Sequence, residues 1–195
     1  MSDDHKITDL KYHLKGLVNK QTCKELIKFF EDHKHMTVTE KSIKYPQNKL
    51  MTDNCSFLYI SQMADRPGFD KVHDIICKYL RIVLTNYEIY VRNNLCPTYI
   101  NHHMLATDNI RIIKYDVGQN IIDHSDVDEY IRGSLTINLN DDYEGGEFRF
   151  FGGELKIDLS EGEAMLFPAE PIWIHGTEPI SKGARYAINC FLKQK

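Results

Sequence analysis

The triplet His124-Ser125-Asp126 sets two metal-ligating residue types at alternate positions. On a β-strand alternate side chains share a face, so both can reach one ion. His175, at the end of the run Ile172-Trp173-Ile174-His175, offers a third ligand from several strands later. Two histidines and one carboxylate on one face of a metal leave positions open for a chelating cosubstrate and dioxygen, the arrangement of non-heme Fe(II) oxygenases. Spacing alone is weak support, because nine histidines in a chain rich in aspartate give roughly one His-x-Asp by chance. Arg185, at the start of the last expected strand, strengthens the case. A guanidinium there can grip the distal carboxylate of 2-oxoglutarate by two parallel hydrogen bonds while the keto-acid end chelates iron.

Such a constellation needs a β scaffold, and the second half of the chain supplies one. From about Thr98 onward, short β-type runs alternate with turn residues: Ile110 to Val117, Gly133 to Asn140, Glu147 to Phe151, Glu154 to Leu159, Ala164 to Phe167, Ile172 to His175 and Arg185 to Lys193. Many short strands with glycine-rich turns indicate a sandwich or barrel. The first half reads as helical. Thr22 with Glu25 fits a capping box ahead of Leu26, Ile27, Phe29 and Phe30, a helix ending near His33. A second helix is expected from Phe69 to Asn93, where Phe69, Val72, Ile75, Ile76, Tyr79, Leu80, Val83, Leu84 and Tyr87 recur at three- and four-residue spacing. Met36 to Tyr45 and Ser56 to Ile60 are candidate strands. The expectation is one domain over 1–195, with a supporting region 1–95 and a β core 96–195. It is mainly β with N-terminal helices (α+β): a double-stranded β-helix of jelly-roll or cupin-like type, with helices packed on one outer face.

Bulk properties narrow the class. With 195 residues, 42% hydrophobic and 27% charged, the composition is that of an ordinary globular domain. A net charge of −4 argues against general attraction to phosphate backbones, so no nucleic-acid partner is expected. The N-terminus is polar and acidic, and no stretch approaches the roughly 20 apolar residues that span a bilayer. No membrane association and a cytoplasmic location are therefore expected. Five scattered cysteines without a C-x-x-C pair read as reduced, mostly buried thiols.

Further motifs carry a family resemblance. Tyr115 and Gly118 precede His124-x-Asp126. Leu139-Asn140, Gly145-Gly146-Glu147-Phe148, Gly162-Glu163-Ala164 and Leu166-Phe167-Pro168 follow, and then come His175 and Gly183-Ala184-Arg185-Tyr186. In combination, Ile110 to Lys193 resembles the catalytic core of the prolyl 4-hydroxylase group of Fe(II)- and 2-oxoglutarate-dependent oxygenases. The resemblance implies that His124, Asp126 and His175 bind Fe(II), that Arg185 takes the distal carboxylate, and that Tyr115 lines the cosubstrate pocket. It implies O2 as cosubstrate, ascorbate as reductant, succinate and CO2 as products, and a prolyl residue of a peptide or protein as substrate. Two positions depart from the group: Asn138 and Ile121 stand where several relatives carry tyrosine. Thr136 and Asn138 share a strand face and could supply replacement hydrogen bonds.

Other readings stay open. The target could be a free amino acid or another protein side chain, or the domain could be a silent cupin-like metal-binding module. The acidic runs Asp126-Val127-Asp128-Glu129 and Asp141-Asp142-Tyr143-Glu144, placed near the expected mouth, suggest a basic peptide partner. His102-His103 is a poor second metal site, since adjacent strand residues face opposite ways. Trp173 reads as a packed aromatic.

Overall fold

The computed structural model describes residues 5–39, 55–98, 104 and 106–194. Among the described residues, twelve strands and two α-helices follow one another as β1 (Tyr12–Leu14), α1 (Lys20–Asp32), β2 (Val38–Thr39), β3 (Ser56–Tyr59), α2 (Phe69–Asn94), β4 (Ala106–Tyr115), β5 (Ile131–Asn138), β6 (Glu144–Gly145), β7 (Phe148–Phe150), β8 (Leu155–Ile157), β9 (Ala164–Pro168), β10 (His175–Thr177), β11 (Ile180–Lys182) and β12 (Arg185–Lys193). Seven strands form a large sheet in the order β1-β9-β5-β12-β4-β3-β2, with smaller sheets β10-β7-β8 and β11-β6. This is the mainly antiparallel jelly-roll expected from the sequence.

Strand alternation sorts side chains to the two faces of the large sheet. Leu135 and Ile137 of β5, Ile188, Cys190 and Leu192 of β12, and Ile110 and Ile112 of β4 join one buried cluster with both helices. In α2, Phe69, Val72, Ile76, Leu80, Val83, Tyr87 and Val91 form the buried stripe. Each such side chain contributes roughly 1.5–3 kcal/mol when fully buried. The opposite face of the sheet looks toward β7 and β8, where Phe148, Phe150, Met165, Phe167 and Trp173 pack together. Between these two walls lies the cavity that holds the site.

Three local expectations are corrected. Helix α1 is capped by Asn19, whose side chain accepts from the Thr22 amide at 3.0 Å; Thr22 lies inside the helix, because Lys20 and Gln21 already have helical geometry. His175 opens strand β10 instead of ending one. The segment before it is a turn, closed by the Trp173 amide donating to the Glu170 carbonyl at 2.9 Å. Exposed Ile172 and Ile174 around buried Trp173 mimic strand alternation in that turn. Of the described part of Met36 to Tyr45, Val38–Thr39 is strand and Met36 ends a short 3-10 turn; residues 40–45 and His102-His103 lie outside the described residues.

Helix α1 is tied to the sheet by a charged network. The Tyr186 hydroxyl donates to Glu31 Oε1 at 2.5 Å, and Lys114 Nζ stands 3.1 Å from the same oxygen. The hydrogen bond from Tyr186 and the Lys114 ammonium hold the Glu31 carboxyl below its usual range, against the effect of burial. Burial and the bond to Glu31 push the Tyr186 phenol up to about 12. A depressed carboxylate stabilises the fold above its unfolded pKa of about 4.3 and loses that contribution as pH falls through its folded value. Glu31→Gln should therefore flatten the acid-side fall of Tm, measured by thermal melts across the carboxylate range.

Candidate metal centre

His124 and His175 are brought opposite each other by their own backbones. They form an isolated antiparallel bridge, the His124 amide donating to His175 O at 2.9 Å and the His175 amide to His124 O at 2.8 Å. Gly176 permits the close approach: a Cβ there would stand 2.8 Å from the Ile121 carbonyl and 2.6 Å from Asp123 Oδ1. Within each ring Nδ1 faces a carbonyl, Ile122 O at 2.8 Å for His124 and Trp173 O at 3.0 Å for His175. A nitrogen facing a carbonyl must carry the proton, which frees Nε2 as the lone-pair donor.

Both Nε2 atoms converge on Asp126, at 3.1 Å from Oδ1 for His124 and 3.4 Å from Oδ2 for His175. One ligand atom from each of the three residues lies within 4.8 Å of the others. Ligands held at about 2.1 Å from an ion and at right angles stand roughly 3 Å apart, so the geometry and the two-nitrogen, one-oxygen donor set fit a facial triad. Burial pushes the Asp126 carboxyl up, but hydrogen bonds to and charges on His124 and His175 outweigh it and hold the carboxyl well below the usual range. It is therefore ionised, as a ligand must be.

Sequence reasoning missed Ser134. Its hydroxyl donates to Asp126 Oδ2, and the residue is buried on β5. The signal was available in the alternation Ser134, Thr136, Asn138, which puts Ser134 on the face already assigned to the site. Removing a hydrogen-bond partner of a ligand commonly costs 10–100-fold in metal affinity. Ser134→Ala is accordingly expected to weaken Fe(II) or Mn(II) binding by about tenfold or more, read by metal titration, with little change in Tm of the metal-free protein.

The cavity around the triad is lined by Arg185, Tyr115 and Thr136 among others. Arg185 is directly opposite Tyr115 across the β12–β4 pair and is buried. Its Nε donates to Asn138 Oδ1 at 3.0 Å and its Nη1 to the Gly146 carbonyl at 3.0 Å. The guanidinium carbon lies 4.9 Å from the Phe148 ring centre and 5.5 Å from that of Tyr115. Nη2 makes no hydrogen bond among the described residues and is available to an anion in the cavity. A Cβ on Gly146, at φ +78°, would meet Ile180 Cδ1 at 2.6 Å, so glycine is needed where that carbonyl turns toward Arg185.

The remaining expected site residues separate. The Thr136 hydroxyl donates to Ile188 O at 3.2 Å from a position on the cavity wall. Asn138 is not among the cavity-lining residues; it lies behind Arg185, accepting from its Nε and donating to Asn140 O and Leu159 O, with the Tyr143 hydroxyl 3.0 Å from the same Nδ2. Ile121 lines the cavity. Of the first acidic run, Asp126 lines the cavity while Val127, Asp128 and Glu129 are not among its lining residues. Asp141, Asp142 and Glu144 line surface clefts that share no residue with the triad's cavity. Cys23, Cys55 and Cys190 are buried thiols, Cys77 is half-buried and Cys96 exposed. No helix is long and apolar enough to cross a membrane among the described residues.

Comparison with known proteins agrees with this geometry. Residues 110–193 match the model of the 2OG-Fe(II) oxygenase superfamily. No curated protein matches the chain in sequence. Among solved structures, a viral collagen prolyl hydroxylase from Paramecium bursaria Chlorella virus-1, solved as its 2OG complex, is similar at TM-score 0.67 and 18% identity, over 95% of this chain and 97% of that one. A Trichoplax adhaerens prolyl hydroxylase, in complex with a hypoxia inducible factor peptide fragment, gives 0.71 and 16%, over 96% and 84%. A Pseudomonas putida prolyl-4-hydroxylase gives 0.61 and 14%, over 97% of each chain. The segment that carries the triad and Arg185 thus belongs to the 2OG-Fe(II) oxygenase superfamily, on a prolyl 4-hydroxylase-like fold.

Proposed function

We propose that this chain is an Fe(II)- and 2-oxoglutarate-dependent dioxygenase that hydroxylates prolyl residues of a peptide or protein, with release of succinate and CO2. The observation that carries the reading is the convergence of His124, Asp126 and His175 in one cavity with the buried cation Arg185. Bound Fe(II) supplies the activation of O2 that couples oxidative decarboxylation of 2-oxoglutarate to oxidation of a C–H bond. The protein's part is geometric. Ser134 and the two imidazoles fix the Asp126 carboxylate, Arg185 takes the distal carboxylate of 2-oxoglutarate, and Asn138 with Gly146 O fixes Arg185. The rings of Tyr115, Phe148 and Phe167 wall the cavity and keep water from the reacting atoms.

The prolyl substrate is supported by the fold shared with three prolyl hydroxylases, one of them solved with a peptide. The intact triad and Arg185 disfavour a silent cupin-like module. In this reading, residues 1–95 brace the catalytic half, 96–195, within one domain. The test is succinate formation from 2-oxoglutarate with Fe(II) and ascorbate against a library of proline-containing peptides. Stimulation by peptides that is lost in His124→Ala supports the reading; turnover stimulated only by non-prolyl compounds would sink its prolyl part.

A further inference from the structure

Arg185 is not the only cation in the triad's cavity. Strand β12 sends Asn189 to the cavity face two pairs beyond Arg185, and β4 sends Arg111; the two are cross-strand partners. The Arg111 guanidinium carbon stands 5.3 Å from the Phe57 ring centre and 5.1 Å from that of Phe191. Two aromatic contacts hold the group, yet among the described residues it has neither a hydrogen bond nor an ion pair. Its Nε is buried without a partner, and so is Asn189 Oδ1. Native proteins leave few buried polar atoms unsatisfied, and here the donor of a cation and the acceptor of an amide are neighbours on one wall of the cavity. They sit four residues along β12, two pairs on the cavity face, from Arg185, which has its own partners, so a second ligand group must answer them.

We infer that Arg111 and Asn189 form a subsite for the substrate's carboxylate and its adjacent N–H, the head of an α-amino acid or the carboxyl end of a peptide. A carboxylate answers the unpaired guanidinium with a charge-assisted bond. An N–H on the neighbouring carbon answers Asn189 Oδ1, which can only accept. Phe57 and Phe191 restrict the plane of the guanidinium and so the orientation of the carboxylate. The inference rests on reading the cavity as the oxygenase site and narrows the class of substrate that enters it.

The test uses Mn(II)- and 2-oxoglutarate-loaded protein, which holds the site without turnover, and reads paramagnetic relaxation of probe protons in solution. The probes are L-proline with L-prolinamide, for a free amino acid, N-acetyl-L-alanine with N-acetyl-L-alaninamide, for a peptide end, and N-acetyl-L-proline as the acid without an N–H, each up to its solubility. In at least one pair the acid should bind at least about tenfold better than its amide, the factor that one hydrogen bond to a charged group is worth. Arg111→Gln should erase that preference while Mn(II) and 2-oxoglutarate still bind. Asn189→Leu should weaken the acid with N–H retained but spare N-acetyl-L-proline, which has none. Equal binding of acids and amides, no binding of any acid, or a preference that survives Arg111→Gln would overturn the subsite. Loss of 2-oxoglutarate itself in Arg111→Gln would reassign the residue to the cosubstrate. Failure of wild type to bind Mn(II) and 2-oxoglutarate would show instead that the oxygenase reading had failed, and this inference with it.

Discussion

Asp126→Ala should lower Fe(II) affinity by more than about 100-fold and reduce 2-oxoglutarate turnover to background, because loss of even a partner of a ligand costs 10–100-fold. The aspartate is the hub of the centre. Among the described residues it is the one carboxylate that faces both imidazole Nε2 atoms, and it accepts from Ser134. Removing it takes the acceptor from the buried Ser134 hydroxyl and the shared anion from the two imidazoles, so the metal-free variant should also melt below wild type at neutral pH. Metal content after equilibrium dialysis, with circular dichroism to show a folded chain, checks both effects. A variant that retains metal as tightly as wild type would mean that the three residues meet for another reason.

Arg185→Met should leave metal binding in place and weaken 2-oxoglutarate by roughly 100-fold or more. Two hydrogen bonds to a charged group are worth about 1.5–3 kcal/mol each, and the guanidinium lies between the Tyr115 and Phe148 rings, where water competes poorly. The same change strands Asn138 Oδ1 and the Gly146 carbonyl, at about 1–3 kcal/mol for each buried unsatisfied group. Some stability is therefore lost with affinity. Arg185→Lys keeps the charge but not the fork, so it should fall between the two in 2-oxoglutarate affinity. Calorimetric titration of 2-oxoglutarate into Mn(II)-loaded protein separates the effects. The pair of variants is informative together: one loses metal, the other keeps metal and loses cosubstrate.

The fold class was legible because it rests on short-range rules: the stripe of α2 needs only helical spacing, and β12 starts and ends at the expected residues, Arg185 and Lys193. His124 and Asp126 do meet, but not by strand alternation, since His124 is an isolated bridge and Asp126 lies outside the strands. What stayed hidden depends on pairing between distant segments. Strand β1 has three residues, too few to show a period, and exists because Tyr12, His13 and Leu14 pair with Leu166, Met165 and Ala164. The turn before His175 alternates in burial like a strand, and only the bridge to His124 shows where β10 begins. Asn138 shares a strand face with Thr136, as expected, but whether it meets the cavity or Arg185 depends on the β5–β12 register. The unpaired state of Arg111 and Asn189 could not be read at all, since it depends on every neighbour at once.

The most direct test of the account is an anaerobic titration of Fe(II) and 2-oxoglutarate into the metal-free protein, following the visible charge-transfer absorption that chelation of a keto acid by Fe(II) produces. The account predicts one iron and one 2-oxoglutarate per chain, with the band absent in His175→Ala and reached only at much higher 2-oxoglutarate in Arg185→Met. Iron uptake without the band in wild type, or a band undiminished in His175→Ala, would contradict it.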